Sequence, residues 1–312
     1  MKQIAHADYA RRFFDSDLPE GSDISLFLAE AGDFRLPRRK ETAHKYQFGR
    51  ALLVGGSTGF SGAPVLAANA CERSGAGLTH LMVPDCIYPI AAARCDGAVV
   101  TPLPSGPDGC FSADAAAGLI PRLQRANACV LGPGLGTSSG SLALLEAVMW
   151  EADCPLVLDA DALTLCGRYP SLLSECRVPV ILTPHEGEFR RLGGDLSSGR
   201  LAGALAFSDA HPDVILILKG FGTLICRNRE TFVNPTGSPA MAKGGSGDVL
   251  CGILCALLAQ GFDPLFSARC AVYLHGLAGD LAAEEFGEYS VTPSDLIRAL
   301  PTAIRSVCEG PV

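Results

Sequence analysis

A glycine-rich pentapeptide, GGSGD at residues 244–248, directly precedes an apolar segment with helical spacing. Backbone N–H groups at the start of a helix, together with the positive end of the helix dipole, form an anion site. A carboxylate at the end of such a loop would repel a phosphate unless it takes or gives a proton beside it. We therefore expect Asp248 to act as a general base; the alternative is that it only favours the first turn of the helix.

Two further glycine-rich loops follow apolar segments, GGSTGFSGA at 55–63 and GPGLG at 132–136. Neither loop supports a Walker nucleotide site or a Rossmann dinucleotide fingerprint, since GK[ST] and GxGxxG are both missing. For each loop, a tight structural turn and a contact with the substrate both remain open. The position of GPGLG at the end of a strand favours ligand contact there.

Carboxylates and histidines follow two other apolar segments. Asp159 and Asp161 in LDADAL either help to hold Mg²⁺ through water or cap the following helix. His185 and Glu188 in TPHEGEF lack the HExxH spacing of zinc hydrolases, so we expect a substrate contact by His185 and Mg²⁺ near Glu188. His275 lies in an apolar context, VYLHGLAG, and is interpreted as a hydrogen-bonded core or interface histidine.

Short apolar segments that end in glycine or polar loops alternate with helical segments along most of the chain. This alternation predicts an α/β fold with a mostly parallel sheet. The carboxyl ends of parallel strands border the ligand crevice in open sheets, so we expect these loops to meet at one edge. The segments that show the pattern are ALLVGG, LTHLMVP, ACVLGPGLG, PLVLDADAL, VPVILTPHEGEF and VILILKG.

Start and stop signals place the elements in the later part of the chain. Residues 222–235 predict a β-hairpin that turns near Asn228, because asparagine tolerates the backbone conformations of tight turns. Caps, glycines and prolines predict three helices. These are a helix over 248–260 stopped by Gly261, a helix that begins at Pro264 after an Asp263 cap, and a last helix opened by Pro293.

Size and composition are those of one large globular domain. Of 312 residues, 48% are hydrophobic and 19% are charged, so the chain can bury a sizeable core. Residues 1–45 are charged and irregular in pattern. We interpret them as an N-terminal arm with a helix or two that packs on the body or on a neighbouring subunit, and residues 46–312 as the body.

Charge and cysteine content indicate which partners and which cellular compartment to expect. There are 25 basic and 33 acidic side chains, a formal net charge of −8, and the basic residues are scattered apart from Arg38, Arg39 and Lys40. We therefore expect no nucleic-acid partner. No segment has the apolar length of a signal peptide core or a membrane span, and the 13 cysteines include no CxxC pair. These features predict a cytoplasmic protein with buried thiols and no disulfide or zinc framework.

Seven segments in order resemble the NAD(P)H-hydrate dehydratase family, over roughly residues 45–305. The resemblance implies a ribokinase-like fold, with a central sheet that has helices on both faces. The matching segments are GGSTGFSGAPVLAANACERSGAGL, GPGLGT, LVLDADAL, ILTPHEGEF, LKGFGT, NPTGSPAMAKGGSGDVLCG and YLHGLAGDLAAEEFGEYSVTPSDLIRALP.

The resemblance implies a metabolite-repair reaction in which the S epimer of hydrated NADH or NADPH (NADHX or NADPHX) loses water. The nucleotide consumed would be ADP, as in bacterial stand-alone members, or ATP, with Mg²⁺, and the products would include AMP or ADP and phosphate. Transfer of a phosphoryl group to the substrate hydroxyl turns a poor leaving group into a good one. Asp248 would deprotonate that hydroxyl.

The family's site residues transfer to this chain by motif position. The hydrate-binding residues would be Ala63, Gly136, His185 and Asp248. The nucleotide-binding residues would be Lys219, Gly220, Phe221, Gly222, Thr223, Gly245, Ser246 and Gly247, and the N–H groups of 245–247 would stabilise the transferred phosphoryl group.

Two residues depart from the family pattern, in which threonines stand at the positions of Lys243 and Cys251. Lys243 would either face a phosphate or point to solvent, and Cys251 replaces a hydroxyl on the helix. The resemblance also implies a homo-oligomer, a homotetramer. Many members carry an upstream epimerase domain, which the 45-residue arm is too short to hold, so we expect action on one epimer.

Two other functions share the expected fold. The first is a ribokinase-superfamily kinase that phosphorylates a small vitamin precursor. Such kinases usually carry asparagine in a TPNxxE pattern, where this chain has His185. The second is a non-enzymatic regulator or binding module, for which loss of Asp248 would have been the simplest sign. Asp248 is present.

Overall fold

The computed structural model describes residues 2–3, 5–13 and 25–308. One eleven-stranded sheet crosses the molecule in the order β1-β2-β11-β10-β9-β8-β7-β6-β3-β4-β5. The strands are β1 (Lys2–Gln3), β2 (Ser25–Leu28), β3 (Arg50–Val54), β4 (Leu78–Pro84), β5 (Val99–Leu103), β6 (Ala128–Leu131), β7 (Leu156–Leu158), β8 (Val180–Leu182), β9 (Val214–Leu218), β10 (Leu224–Arg227) and β11 (Glu230–Val233).

The seven strands from β3 to β9 are parallel to one another, which confirms the expected α/β class. From β3 the chain builds outward through β4 and β5, and then returns to the other side of β3 with β6. The loops that follow β3 and β6 therefore diverge from a topological switch point, where open α/β sheets bind ligands.

Helices cover both faces of the sheet. They are α1 (His6–Phe13), α2 (Gly62–Arg73), α3 (Tyr88–Arg94), α4 (Ala115–Leu123), α5 (Ser139–Glu151), α6 (Asp161–Arg168), α7 (Ser171–Glu175), α8 (Glu186–Arg191), α9 (Arg200–Ala210), α10 (Ser246–Ala259), α11 (Pro264–Phe286) and α12 (Pro293–Arg305). Alternate strand residues point to opposite faces, so Leu53 packs with α2, α10, α11 and α12, whereas Leu52 and Val54 pack with α4, α5, α6 and α9.

Helices α2 and α10 approach each other closely because Gly252 has no side chain. A Cβ atom at Gly252 would lie 2.2 Å from the backbone oxygen of Ala67 and 2.7 Å from the Cβ of Ala70. Both helices begin at the loop edge of the sheet, one after the 55–63 loop and the other at the 244–248 loop. Their tight contact fixes the position of one loop relative to the other.

The elements predicted from caps and turns are confirmed. The hairpin of β10 and β11 turns at Asn228, whose φ is +55°. Gly261 follows the end of α10 with φ +86°, the Asp263 side chain accepts a hydrogen bond from Phe266 N at 2.9 Å, and Pro293 opens α12.

The N-terminal segment contributes strands that the sequence did not predict. β2 pairs in parallel with β11, and β1 pairs with β2, so the sheet is extended at its edge. The α1 residue Phe13 lies with its ring centroid 5.5 Å from that of Phe221, in the loop after β9.

Across the described ranges, no helix is long and apolar enough to cross a membrane. The 13 cysteines are all free thiols.

Candidate active site

The start of α10 is built from the predicted anion loop. Gly245 adopts φ +98°, a left-handed conformation that glycine accepts without strain, and it turns the chain into the helix. Asp248 follows in the first helical turn and is half-buried. Burial and, to a smaller extent, the nearby charge of Asp159 raise the pKa of Asp248, Lys219 lowers it, and the net pKa is about 7. A carboxyl group that titrates near neutral pH is suited to proton transfer.

Beneath this loop lies a buried charge network around Lys219, at the end of β9. Lys219 Nζ is 2.9 Å from Asp159 Oδ1 and 3.7 Å from Glu188 Oε2. Thr183 Oγ1 donates to the same Asp159 oxygen at 2.7 Å. Burial alone would raise the pKa of Asp159, which is 3% exposed, but Lys219 and the Thr183 hydrogen bond outweigh it and lower that pKa. Asp159 therefore stays ionised.

The pKa of Lys219 is raised, so that this side chain, like Asp159, stays charged. Burial would lower it, yet the charges of Asp159 and Glu188 raise it above its ordinary value. A Cβ atom at Gly247 would lie 3.3 Å from Lys219 Nζ, so the glycine lets the anion loop settle directly over the ammonium group. Lys219 thus carries a fixed positive charge under the loop.

A cavity of about 660 Å³ opens beside this network. The predicted site residues that line it are His185, Lys219, Gly220, Phe221, Gly222, Thr223, Ser246 and Gly247. A second stretch of wall, NPTGSP at 234–239, was not singled out from the sequence. The sequence analysis included this stretch in a longer segment that resembles the dehydratase family, but it predicted no role for these residues.

Gly136 and Ala63, two predicted residues that do not border this cavity, lie at the switch point, on the GPGLG loop and at the end of the 55–63 loop. Gly56 N donates to Pro133 O at 2.8 Å, and Ser57 Oγ donates to Gly134 O at 2.8 Å, so the two glycine loops brace each other. A Cβ atom at Gly134 would lie 3.4 Å from the Cβ of Ala63, at the start of α2. The loops are thus structural turns that support each other, and their contact with the substrate stays a prediction.

Asp161 contacts the second of these loops. Its Oδ2 accepts a hydrogen bond from Gly136 N at 2.8 Å, which ties the start of α6 to the GPGLG loop. The Asp161 side chain thus binds the GPGLG loop rather than capping α6, and a water-mediated contact with Mg²⁺ stays a prediction. Its carboxylate fixes the loop that carries Gly136.

His185 and Glu188 form a reciprocal cap at the start of α8. Nδ1 of His185 accepts from Gly187 N at 2.9 Å and from Glu188 N at 3.2 Å, while Glu188 Oε2 accepts from His185 N at 2.9 Å. Because Nδ1 accepts, a neutral imidazole carries its proton on Nε2, which lies 3.5 Å from Glu188 Oε1. The sequence reasoning missed this capping role; histidine is an unusual cap, so the pattern gave little signal.

A family model described as NAD(P)H-hydrate dehydratase matches residues 51–302. The chain belongs to this family. A bifunctional NAD(P)H-hydrate repair enzyme of Moorella thermoacetica is 38% identical over 280 residues, which are 88% of this chain and 53% of that one. The chain thus spans about half the length of the curated relatives it matches.

Solved structures agree with this assignment. An ADP/ATP-dependent NAD(P)H-hydrate dehydratase from Bacillus subtilis, co-crystallised with ATP/Mg²⁺, has a TM-score of 0.76 and 32% identity, over 89% of this chain and 96% of that one. A ribokinase-like superfamily protein from Enterococcus faecalis has a TM-score of 0.81 and 29% identity, over 94% and 99% of the two chains. The expected family and ribokinase-like fold are confirmed, and the dehydratase is favoured over the kinase.

Of the two departures from the dehydratase pattern, Lys243 is exposed and borders the cavity. Its Nζ donates to the backbone oxygens of Tyr289 at 2.7 Å and Val291 at 2.6 Å. Lys243 therefore ties the anion loop to the segment before α12, and a contact with a phosphate stays a prediction. Cys251 is fully buried in the charge network, where its thiol lowers the pKa of Asp159.

His275 holds the first residue of α10. Its Nε2 lies 2.8 Å from the backbone oxygen of Ser246, and burial lowers the pKa of His275 to about 4. A carbonyl only accepts, so the neutral ring donates from Nε2. The expectation of a hydrogen-bonded histidine is confirmed.

Replacing His185 by asparagine should separate its two roles. Asparagine caps helices well, so His185→Asn should keep the free energy of unfolding, whereas His185→Ala should lower it by about 1 kcal/mol. If the imidazole contacts the hydrate, both variants should raise KM for the hydrate severalfold. Steady-state kinetics and denaturant unfolding of the two variants provide the comparison. An unchanged KM in His185→Asn would contradict the substrate contact and leave His185 as a cap alone.

Proposed function

We propose that this chain dehydrates the S epimer of hydrated NADH or NADPH back to the reduced dinucleotide, with ADP or ATP as the phosphoryl donor. The observation that carries the proposal is the position of Asp248, a carboxyl group with a pKa of about 7 in the first turn of the anion-loop helix. Membership of the dehydratase family supports it.

The proposed reaction begins with proton transfer from the hydrate hydroxyl to Asp248. The hydroxyl oxygen attacks the terminal phosphorus, the bond to the nucleotide's bridging oxygen breaks, and AMP leaves from ADP or ADP from ATP. The backbone N–H groups of Gly245, Ser246 and Gly247 would stabilise charge on the transferred group, since the first N–H groups of a helix have no partner within it. Binding of the nucleotide by residues 219–223 would place its phosphates over the loop.

Elimination follows on the phosphorylated substrate. The electron pair of the ring nitrogen forms a C=N bond as the C–O bond to phosphate breaks, and loss of a proton from the neighbouring carbon restores the dihydropyridine ring. Phosphate is a far better leaving group than hydroxide, which is why a nucleotide is consumed. Ala63, Gly136 and His185 would hold the hydrate during these steps.

The site fits Mg²⁺ brought in with the nucleotide better than a resident metal. Among the described residues, no group of three or more His, Cys, Asp or Glu side chains is arranged to hold a metal ion. Mg²⁺ keeps several waters and binds one or two carboxylates together with substrate phosphates, where it neutralises phosphate charge. Glu188, 7% exposed, is the carboxylate we propose for a water-mediated contact.

The pH dependence should report the state of Asp248. A general base must be deprotonated, and burial holds its pKa at about 7, so kcat/KM should fall about tenfold per pH unit below that value and level off above it. The profile is measured between about pH 5 and pH 9 with circular dichroism to verify folding. A profile that stays level down to the ordinary pKa of aspartate would contradict the assignment of the base.

The fate of the phosphoryl group tests the reaction type. A dehydratase releases inorganic phosphate and reduced dinucleotide in equal amounts, whereas a small-molecule kinase leaves the phosphate on its product. Phosphate release and product mass are measured with ADP and with ATP as donor. We propose ADP as the preferred donor, and a higher kcat/KM with ATP would reverse that preference without changing the reaction type.

We also propose that the chain acts in the cytoplasm as a homotetramer, with residues 46–312 as the catalytic domain and no nucleic-acid or membrane partner. Its free thiols suit a reducing compartment. Sedimentation of the purified protein measures the assembly state.

A further inference from the structure

A second large cavity lies at the opposite end of the two helices that begin at the active site. α2 runs from Gly62 beside the substrate loop to Arg73, and α10 runs from the anion loop to Ala259. At 1.5 Å per residue, these helices are about 20 Å long. The cavity, of about 750 Å³, is bordered by Arg73, Ser74 and Gln260 at their far ends, and it is therefore separate from the catalytic crevice.

The cavity is strongly basic in a protein with a net charge of −8. Five basic side chains line it. They are Arg38, Arg39 and Lys40, the basic cluster noted in the sequence, together with Arg73 and Arg305. The side chains around this wall, all of them described residues, include no aspartate or glutamate. Clustered positive charge in a concave surface attracts anions.

The Arg39 side chain is held in the wall of the cavity by contacts with other residues. Its guanidinium donates to Gly75 O and, at 3.0 Å, to Gln260 Oε1, and it lies 3.7 Å from the ring centroid of Phe48. These contacts join the ends of α2 and α10 to the incoming N-terminal segment. Arg73, Arg305 and Lys40 also line the cavity, and Arg305 donates to Thr302 Oγ1 at 3.1 Å.

Apolar side chains complete the wall of the cavity. Leu36, Phe48, Phe262 and Ile304 lie beside the cations, so an apolar surface adjoins the positive charge.

We propose that this cavity is a second, non-catalytic binding site for a phosphate-bearing anion with a flat apolar part, of the nucleotide class. The cations would bind the phosphates, and the apolar wall would hold the base. Its volume lies in the range of small-molecule sites.

Calorimetric titration of the full chain with ADP, NADP⁺ and inorganic pyrophosphate tests the proposal. ADP or NADP⁺ should bind to a second class of sites in addition to the catalytic site. Both should bind to this second class more tightly than pyrophosphate does. In Arg73→Glu/Arg305→Glu the second class should weaken about tenfold or more, while the catalytic class keeps its affinity. The matched control, Arg94→Glu/Arg168→Glu, makes the same change in charge on exposed arginines away from the cavity and should retain both classes.

A single class of sites for all three probes at millimolar concentration would overturn the proposal, and so would wild-type binding in the Arg73/Arg305 variant. If pyrophosphate bound to the second site as tightly as ADP does, the proposal that the apolar wall holds part of the ligand would be overturned. Because no turnover is measured, these outcomes are independent of whether the dehydratase reaction is demonstrated.

Discussion

Replacement of Asp248 by asparagine is expected to lower kcat by about a hundredfold to ten-thousandfold, the range that general-base catalysis supplies. Asparagine has nearly the same shape but cannot accept the proton of the hydrate hydroxyl. The phosphoryl donor should still bind, because the anion loop and Lys219 are unchanged. Single-turnover rates and the Kd of ADP are the measurements that separate these two effects.

The same variant should not be less stable than the wild type. Burial raises the pKa of Asp248 to about 7, above its ordinary value, so ionised Asp248 opposes folding as pH rises through the interval between those values. Asparagine removes that charge, and above neutral pH the variant should unfold at an equal or higher temperature. A folded variant with wild-type kcat would exclude Asp248 as the base, and Asp248→Glu measures how closely the carboxyl must be placed.

Lys219→Met should produce the largest loss of stability among the site variants. Asp159 and Glu188 are 3% and 7% exposed, and removal of the ammonium group leaves both carboxylates without their cation. Loss of one partner of a buried ion pair costs about 3–5 kcal/mol of the free energy of unfolding. Lys219 also lowers the pKa of Asp248, so the base of any folded variant should titrate at higher pH than in the wild type.

A double-mutant cycle distinguishes this electrostatic loss from loss of packing. In Lys219→Met/Asp159→Asn the uncompensated carboxylate is gone, so much of the stability lost in Lys219→Met should return. Urea unfolding of the wild type, both single variants and the double variant gives the coupling energy between the two side chains. Additive losses would show that the two groups do not interact, in conflict with the 2.9 Å contact.

Local signals predicted the helices and the hairpin well because their chemistry lies within a few residues. The Asp263 cap, the Gly261 stop and the turn at Asn228 each depend on backbone conformations that particular residue types favour. Alternating strands and glycine loops also predicted the α/β class, since the edge at which they meet follows from parallel strand order.

Contacts between distant segments could not be predicted in this way. Lys243 binds carbonyl groups 46 and 48 residues away, and β2 joins the sheet beside β11, far along the chain. The ion pair of Asp159 with Lys219, 60 residues apart, was not among the roles expected for Asp159. Spacing within a motif carries no information about such partners, whereas the fold brings them together.

The most direct test of the proposed activity follows the absorbance of the dihydronicotinamide ring in S-NADHX mixed with purified protein and Mg²⁺, with ADP or ATP supplied separately. The predicted result is recovery of the absorbance that requires a nucleotide, is accompanied by equal release of phosphate, and is lost in Asp248→Asn. Folded wild-type protein that restores no absorbance with either nucleotide would contradict the account.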